Sequence, residues 1–600
     1  MSEPQRLPLA VKPSNRDEST SRDAKIVNGY VEKVGEKDIQ VYKRPGYAGY
    51  AAGSTGSAAA GLGSYNWNGD LFAIFGSTLY KNNVAVTGTV NTTNGVYSFA
   101  SCLGANPKLV FQNGVAMYTY DAIGGIVQVP AAVAAPVIGN LTISSAIVTS
   151  VLPDTSGLLA GMHIIGSGVP DGTTILTVDS LTQITLSAVA TASGATVSLS
   201  VPTLTVTGNT ASASPIITNI VPNTTNIHIG MFVTGTGISA NSSVVSIDSS
   251  TQITLSTNAT AAGTGVTLAV ESYFPVNQVK GVNYLDGYIN VMTQKAAIFS
   301  SDINDPMTYP SGDYLVAQIE ADPGVYLGKQ MVYILAFKKY SLEVFYDAGN
   351  PSGSPLGPVQ GAKVSIGCRH ADSVSSMEGT VFWVSQARDG GTAVYLMDNL
   401  KSAQISTPSI ERLLQEADYT TVYSWCARVA GHRYYCITLV GSNLSLVYDM
   451  TSQQWYQWTD TNGNYLPYVS TTYTGDNQAV FQHATNGKMY KLEITNTTDD
   501  GSTITMDLYT PNYDGGVRFK KFAKSMDIIA DQTNGSVLKI RVSDDDYQTW
   551  SNFRYVDLSK KRPRLTECGT FRRRAYHFQH SSNTMLRIQA VELLIDLGTL

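Results

Sequence analysis

The sequence predicts an all-β protein: a β-propeller-like core, a tandem pair of small β-modules inserted into it, and a C-terminal β-domain. Three observations carry that reading. Short runs of β-branched and aromatic residues, separated by turn residues, recur along the chain, which holds 34 tyrosines in 600 residues. One charge-poor unit rich in Thr, Val, Ile, Ser and Gly occurs twice at a constant spacing. Hairpins of one cadence stand on both sides of that duplication.

Taken in order, strands are predicted at Leu71 to Tyr80, Lys108 to Tyr120, Tyr284 to Val291, Met331 to Phe345, Thr380 to Met397, His432 to Tyr448 and Lys488 to Ile494. The stretches 72 to 81, 109 to 121, 380 to 398, 444 to 460 and 479 to 493 each read as an apolar run, a Gly, Asn or Asp turn, and a tyrosine-bearing exit. Hairpins repeated in this way point to propeller blades, because radial closure removes most open sheet edges. A helix is predicted only over Pro408 to Ala417, where Ile410, Leu413 and Leu414 share a face.

The cadence stops near Tyr120 and resumes near Val282. Between them Gly161-Met162 recurs as Gly230-Met231, Gly166 and Gly168 as Gly235 and Gly237, and Asp179-Ser180 with Thr182 to Ser187 as Asp248-Ser249 with Thr251 to Ser256. Every pair is offset by 69 positions. The expected organisation is an N-terminal arm with the first propeller hairpins (1–129), duplicated modules (130–271, copies at about 140–202 and 203–271), the rest of the propeller (272–512) and a basic C-terminal β-domain (513–600). Pro130, Ala131 to Ala135 and Pro136 form the predicted entry linker.

Charge is segregated along this order. Leu109 to Val279 contains no Lys or Arg but six acids, Asp121, Asp154, Asp171, Asp179, Asp248 and Glu271, which account for the whole net charge of -6. The last 90 residues carry 15 basic and 10 acidic side chains. Five cysteines (Cys102, Cys368, Cys426, Cys436, Cys568) are scattered without metal-ligand spacing. The histidines include one close pair, His577 and His580, whose i, i+3 spacing in a strand puts the rings on opposite faces, so no metal is expected. The opening residues, with Glu3, Arg6, Arg16, Asp17 and Glu18, lack a leader's apolar core, and no run reaches a membrane helix's length; the chain is expected to be cytosolic when made, and soluble. Nucleophile elbows, zinc-protease motifs, P-loops and dinucleotide fingerprints are all missing. No catalytic residue and no cofactor are expected.

Two motifs remain. Ser543 to Trp550 resembles an Asp-box, with Asp545 and Trp550 in place and Tyr547 where the glycine belongs; it is read as a structural turn rather than a calcium loop. Lys560, Lys561, Arg562, Arg564, Arg572, Arg573 and Arg574 form the densest basic cluster, against Glu567. Such a cluster would suit acidic neighbours on another domain or subunit, with phosphate contact to DNA as the secondary reading.

From about Tyr284 onward the order of features resembles the tail-hub proteins of short-tailed (podovirus) phages, also called nozzle or packaged-DNA stabilisation proteins. The matching residues are Ser301-Asp302 to Asp305-Pro306, Ala317 to Gly324, Tyr340 to Tyr346, Thr380 to Val384, Ile405 to Thr407 with Ile410-Glu411, the Asp-box-like hairpin, and Arg572 to Arg574 with Arg587-Ile588. Lys43-Arg44-Pro45-Gly46 is similar to the family's early R-P-G turn. The resemblance implies a structural virion protein of the phage tail: a homo-hexameric ring below the head-to-tail adaptor that extends the DNA channel, retains packaged double-stranded DNA in its lumen, and docks tail fibre, spike or needle proteins. The duplicated modules would line the nozzle tip or face outward. The competing reading is a carbohydrate- or receptor-binding, tailspike-like propeller, with a glycosidase as its hydrolytic form.

Overall fold

The computed structural model describes residues 4–598 apart from 10–23, 35–37, 130–136, 201–203 and scattered positions within 156–174, 225–243, 272–277, 308–312 and 352. The linker Pro130 to Pro136 and the Gly161-Met162 and Gly230-Met231 pairs lie outside the described residues. Contacts divide the chain into two compact units, one of Met1–Thr92 with Val364–Leu600, the other of Thr93–Lys363. Among the described residues no helix is long and apolar enough to cross a membrane.

The fold is all-β, and its recurring element is the antiparallel meander of about four strands, the blade unit of a β-propeller. In the second unit three such sheets are described, over Ser98–Cys102 to Gly125–Gln128, Asn283–Leu285 to Tyr314–Val316, and Gly324–Gln330 to Leu356–Pro358. The first unit holds meanders over Gly61–Trp67 to Val84–Ala85, Gly367–Cys368 to Lys401–Gln404, and Val422–Val429 to Gln454–Gln457. Its fourth meander is composite: Tyr468–Tyr473, Ala479–His483 and Met489–Glu493 take their outer neighbour, Gly46–Tyr50, from the other end of the chain. The helix spans Pro408–Glu416, starting at a proline whose missing N–H costs nothing at that position, and it buries Ile410 and Leu414.

Many of the hairpins turn at a residue in the left-handed region. Gly76 (φ 56°) closes the first predicted hairpin and Gly431 (φ 85°) joins Val422–Val429 to His432–Leu439. Central strands such as Thr380–Gln386 and Leu444–Asp449 are buried along nearly their whole length, so they read as continuous apolar runs rather than alternating ones.

The duplicated modules have one topology. Strand order in the first is 165–166, 194–200, 137–141, 147–152, 183–186, 175–180, and the second repeats it with every strand displaced by the repeat spacing or within a residue or two of it. Their cores match side chain for side chain: Val148, Val151, Ile175, Ile184 and Leu199 in one, Ile217, Ile220, Val244, Ile253 and Leu268 in the other. The repeated Asp179 accepts hydrogen bonds from Thr177 and Thr185 at 2.7 Å, as Asp248 does from Ser246 and Thr254 at 2.7 and 2.8 Å. The repeated motif is therefore a hairpin whose exposed acid bridges its two strands.

The 513–600 segment builds its sheets together with the N-terminus. Lys521–Ala530 and Arg587–Leu597 pair with each other, and Pro4–Arg6 and Asp38–Lys43 add to the same sheet through Arg587–Leu597. Lys25–Val27 bridges the 422–457 meander to Met506–Tyr509, beyond which lie Ala575–His580, Val537–Ser543 and Arg554–Asp557. One apolar core runs through Ile26, Tyr30, Trp458, Phe481, Leu508, Ile540 and Val591.

Candidate functional site

Three sets of residues singled out by the sequence are placed by the structure: the R-P-G turn, the paired motifs at 317–324 and 340–346, and the basic C-terminal segment.

At the R-P-G turn, Arg44 is buried and spends all its guanidinium nitrogens on protein acceptors. Nε donates to Asn28 Oδ1 (2.9 Å), Nη1 to Pro45 O and Asp499 Oδ1 (both 3.0 Å), and Nη2 to Thr459 O (2.8 Å) and Asp499 Oδ2 (2.6 Å). Tyr47 and Trp458 lie 5.5 and 5.9 Å from its carbon, as ring centroids. Gly46 is required by crowding, because a Cβ there would sit 2.0 Å from Thr498 O. The turn is thus a structural joint.

The two motifs in the second unit meet at one lysine. Lys338 is fully buried and donates to Ala317 O (3.1 Å), Glu320 O (2.7 Å) and Glu343 Oε1 (2.5 Å), with Asp322 Oδ1 at 3.3 Å. Asp322 in turn accepts from Tyr340 N (2.6 Å) and Ser341 Oγ (2.9 Å). Asp322 of the first motif and Glu343 of the second are therefore joined through Lys338 in one buried ionic network, which needs both partners to be affordable in an apolar interior.

In the C-terminal segment, Asp545 accepts from Ser543 Oγ (2.8 Å), Thr549 N (2.9 Å) and Thr549 Oγ1 (2.5 Å). These hydrogen bonds, the two from Thr549 first, hold its carboxyl down at about 2. Tyr547 occupies the glycine position in a left-handed conformation (φ 65°), directly after Asp546 (φ 61°). The strain is offset by burial of its ring and by its hydroxyl donating to Thr510 O at 2.8 Å. Trp550 packs edge-on against Tyr509 and His577, with the Arg541 guanidinium 5.3 Å from its ring.

The seven clustered cations fall into two classes. Arg574 is buried and bidentate to Asp544 (2.7 and 2.8 Å), Arg564 pairs with Asp527 (2.5 and 2.7 Å), and Arg573 pairs with Asp546. The acid partners of these three lie in the same segment as the arginines. Lys560, Lys561, Arg562 and Arg572 are exposed and form no ion pair among the described residues; Arg572 donates only to Arg518 O, at 3.3 Å. Arg518 and Lys520, beside Arg572 in the fold but 52 or more residues earlier, extend the unpaired set, and at that distance along the chain they do not stand in the basic cluster of the sequence.

His577 and His580 have separate partners. His577 Nε2 lies 2.6 Å from Asp507 Oδ1 while Nδ1 accepts from Arg541, and His580 Nε2 meets Ser536 Oγ at 2.9 Å. Among the described residues no group of three or more His, Cys, Asp or Glu could hold a metal ion. The cysteines are free thiols, and burial pushes Cys102 up to about 11 and Cys368 and Cys426 to about 12.

Residues 209–497 match the family model described as bacteriophage P22 Gp10, β-propeller. That stretch takes in the Lys338 network, the four meanders from 283 to 457 and the strands of the composite one up to 493. Over that stretch, just under half of its length, the chain is similar to this phage stabilisation family. The P22 Gp10-like match begins inside the second module, so it includes most of that copy and none of the first. No curated protein matches the sequence. Similar solved structures include YCF48 bound to D1 peptide (9% identity, 75% of this chain and 98% of that one, TM-score 0.32) and BBS1N in complex with ARL6DN (7%, 75% and 98%, 0.31). BamB from Moraxella catarrhalis is a third (14%, 48% and 91%, 0.21). At these TM-scores the likenesses carry no weight for the architecture.

Proposed function

We propose that this protein is a structural, non-catalytic component of a phage tail, acting as a homo-hexameric ring below the head-to-tail adaptor. The ring continues the DNA channel, retains the packaged double-stranded genome, and docks fibre, spike or needle proteins at its periphery. The observation that carries the reading is the P22 Gp10-like match over 209–497. Supporting it is where the chain's ionic chemistry is spent: Arg44, Lys338 and Arg574 each hold segments together, as a protein that works by geometry requires.

In this reading the unpaired Lys560, Lys561, Arg562 and Arg572 face a neighbouring subunit or the phosphate backbone, and the Lys- and Arg-free modules present a surface to which DNA does not adhere. The test is electron microscopy of the purified chain mixed with its portal and adaptor. A closed six-fold ring seated on the adaptor supports the proposal; a monomer or trimer that ignores the adaptor and binds or trims polysaccharide overturns it.

A further inference from the structure

His432 opens its strand and is buried between two carboxylates from different parts of the first unit. Its Nδ1 lies 2.7 Å from Asp449 Oδ2 and its Nε2 3.5 Å from Glu32 Oε1. Asp449 is fully buried and also accepts from Ser452 Oγ (2.6 Å) and Thr451 N (2.9 Å). Glu32 belongs to the N-terminal hairpin of Gly29–Val34 and Asp38–Lys43, and its side chain is 34% exposed. A neutral imidazole has one N–H, so it can donate to one of these acids and must turn a lone pair toward the other. An imidazolium donates to both.

We propose that His432 is a proton-dependent latch: as an imidazolium it ties Glu32, and with it the N-terminal hairpin, to the 422–457 sheet, and on losing its proton it releases the Glu32 arm.

The surroundings favour this reading. From the hairpin, Tyr30 meets the ring edge-on at 4.9 Å and Tyr42 stacks on Tyr30; from the sheet, Tyr434 stacks at 5.7 Å and Tyr456 accompanies Asp449 through Ser452. Burial raises all four phenols, so they stay neutral where the imidazole titrates. Arg433 turns away to Glu378 (3.6 Å), and Arg587, behind Tyr42, is paired with Asp531. Burial by itself lowers the His432 proton affinity, but the hydrogen bond and charge of Asp449, then those of Glu32, outweigh it and raise it above 6.5. A histidine raised in the folded state stabilises fully below its unfolded value of about 6.5 and loses that contribution as pH rises through the folded value.

The test is local, because buried histidines elsewhere give global stability the opposite slope. Hydrogen exchange of the amides of residues 29–34, corrected for intrinsic rate, is followed from pH 5.5 to 8.5 beside an NMR titration of His432, in the full chain and in Glu32→Gln. The expected result is a His432 midpoint above 6.5, protection of 29–34 falling by up to about tenfold per pH unit between the two midpoints, and a variant with a lower midpoint and a flatter profile at unchanged tryptophan fluorescence. A His432 midpoint at or below 6.5, or a variant indistinguishable from the parent, overturns the latch.

Discussion

Replacing Arg44 by lysine should destabilise the first unit by about 2–5 kcal/mol although it keeps the charge. Arg44 makes five hydrogen bonds, to Asn28, Pro45, Thr459 and both oxygens of Asp499. An ammonium has three protons and cannot reproduce the fork, so at least two buried acceptors lose their donor, at about 1–3 kcal/mol each. Arg44→Met removes the charge altogether and leaves Asp499 unpaired, for about 3–5 kcal/mol. Arg44→Met combined with Asp499→Asn should recover part of that loss, because the uncompensated charge is gone; the difference is the coupling of the pair. All six tryptophans, at 67, 383, 425, 455, 458 and 550, lie in the first unit, so urea unfolding followed by tryptophan fluorescence reports the relevant transition. A loss below about 1 kcal/mol for Arg44→Lys would refute the argument that the fork geometry, rather than the charge, is what the turn needs.

Tyr547→Gly should restore the usual Asp-box residue and still destabilise: relief of the left-handed strain is worth about 1 kcal/mol, but the lost ring and its bond to Thr510 cost about 3–5 kcal/mol, measurable in the same unfolding assay. Lys560→Ala with Lys561→Ala and Arg562→Ala should leave the melting temperature unchanged and reduce the salt slope of heparin or DNA binding, whereas Arg574→Ala should lower the melting temperature by breaking the Asp544 pair; equal effects on both readouts would show that the two classes of cation are not distinct. Burial, with Lys43 beside it, holds His580 down at about 3, and burial with Lys488 holds His483 at about 4. Folded values depressed below about 6.5 give stability that is complete above that pH and declines by about 1.4 kcal/mol per unit for a fully buried ring as pH falls toward the folded value; His580→Asn should flatten that decline in an acid unfolding series.

Much of the fold was legible in the sequence because strand and turn signals act over a few residues. The hairpins at 72–81, 380–398 and 479–493 are strand pairs where the cadence placed them, and the helix at Pro408–Glu416 ends one residue before the predicted Ala417. The Asp-box reading was also local: the side chains that Asp545 meets, Ser543 and Thr549, stand two and four residues away. Partnership across the chain was not legible. Nothing near Lys43-Arg44-Pro45-Gly46 announces Asp499, 455 residues away, and nothing in the 72–81 cadence indicates that Gly46–Tyr50 completes the sheet of 468–493. The basic cluster looked uniform because neither Asp527 nor Asp544 and Asp546 adjoins it in sequence.

By itself the sequence determined the all-β class, the blade-like meanders and the twofold module, since alternation, turn residues and a constant 69-residue offset are properties of neighbouring positions. Only the tertiary structure decided which charges are structural and which are free, and which strands from the two ends of the chain share a sheet. Those outcomes depend on where backbone edges and buried ions find partners, and in an antiparallel sheet the partner can be supplied from any distance along the chain.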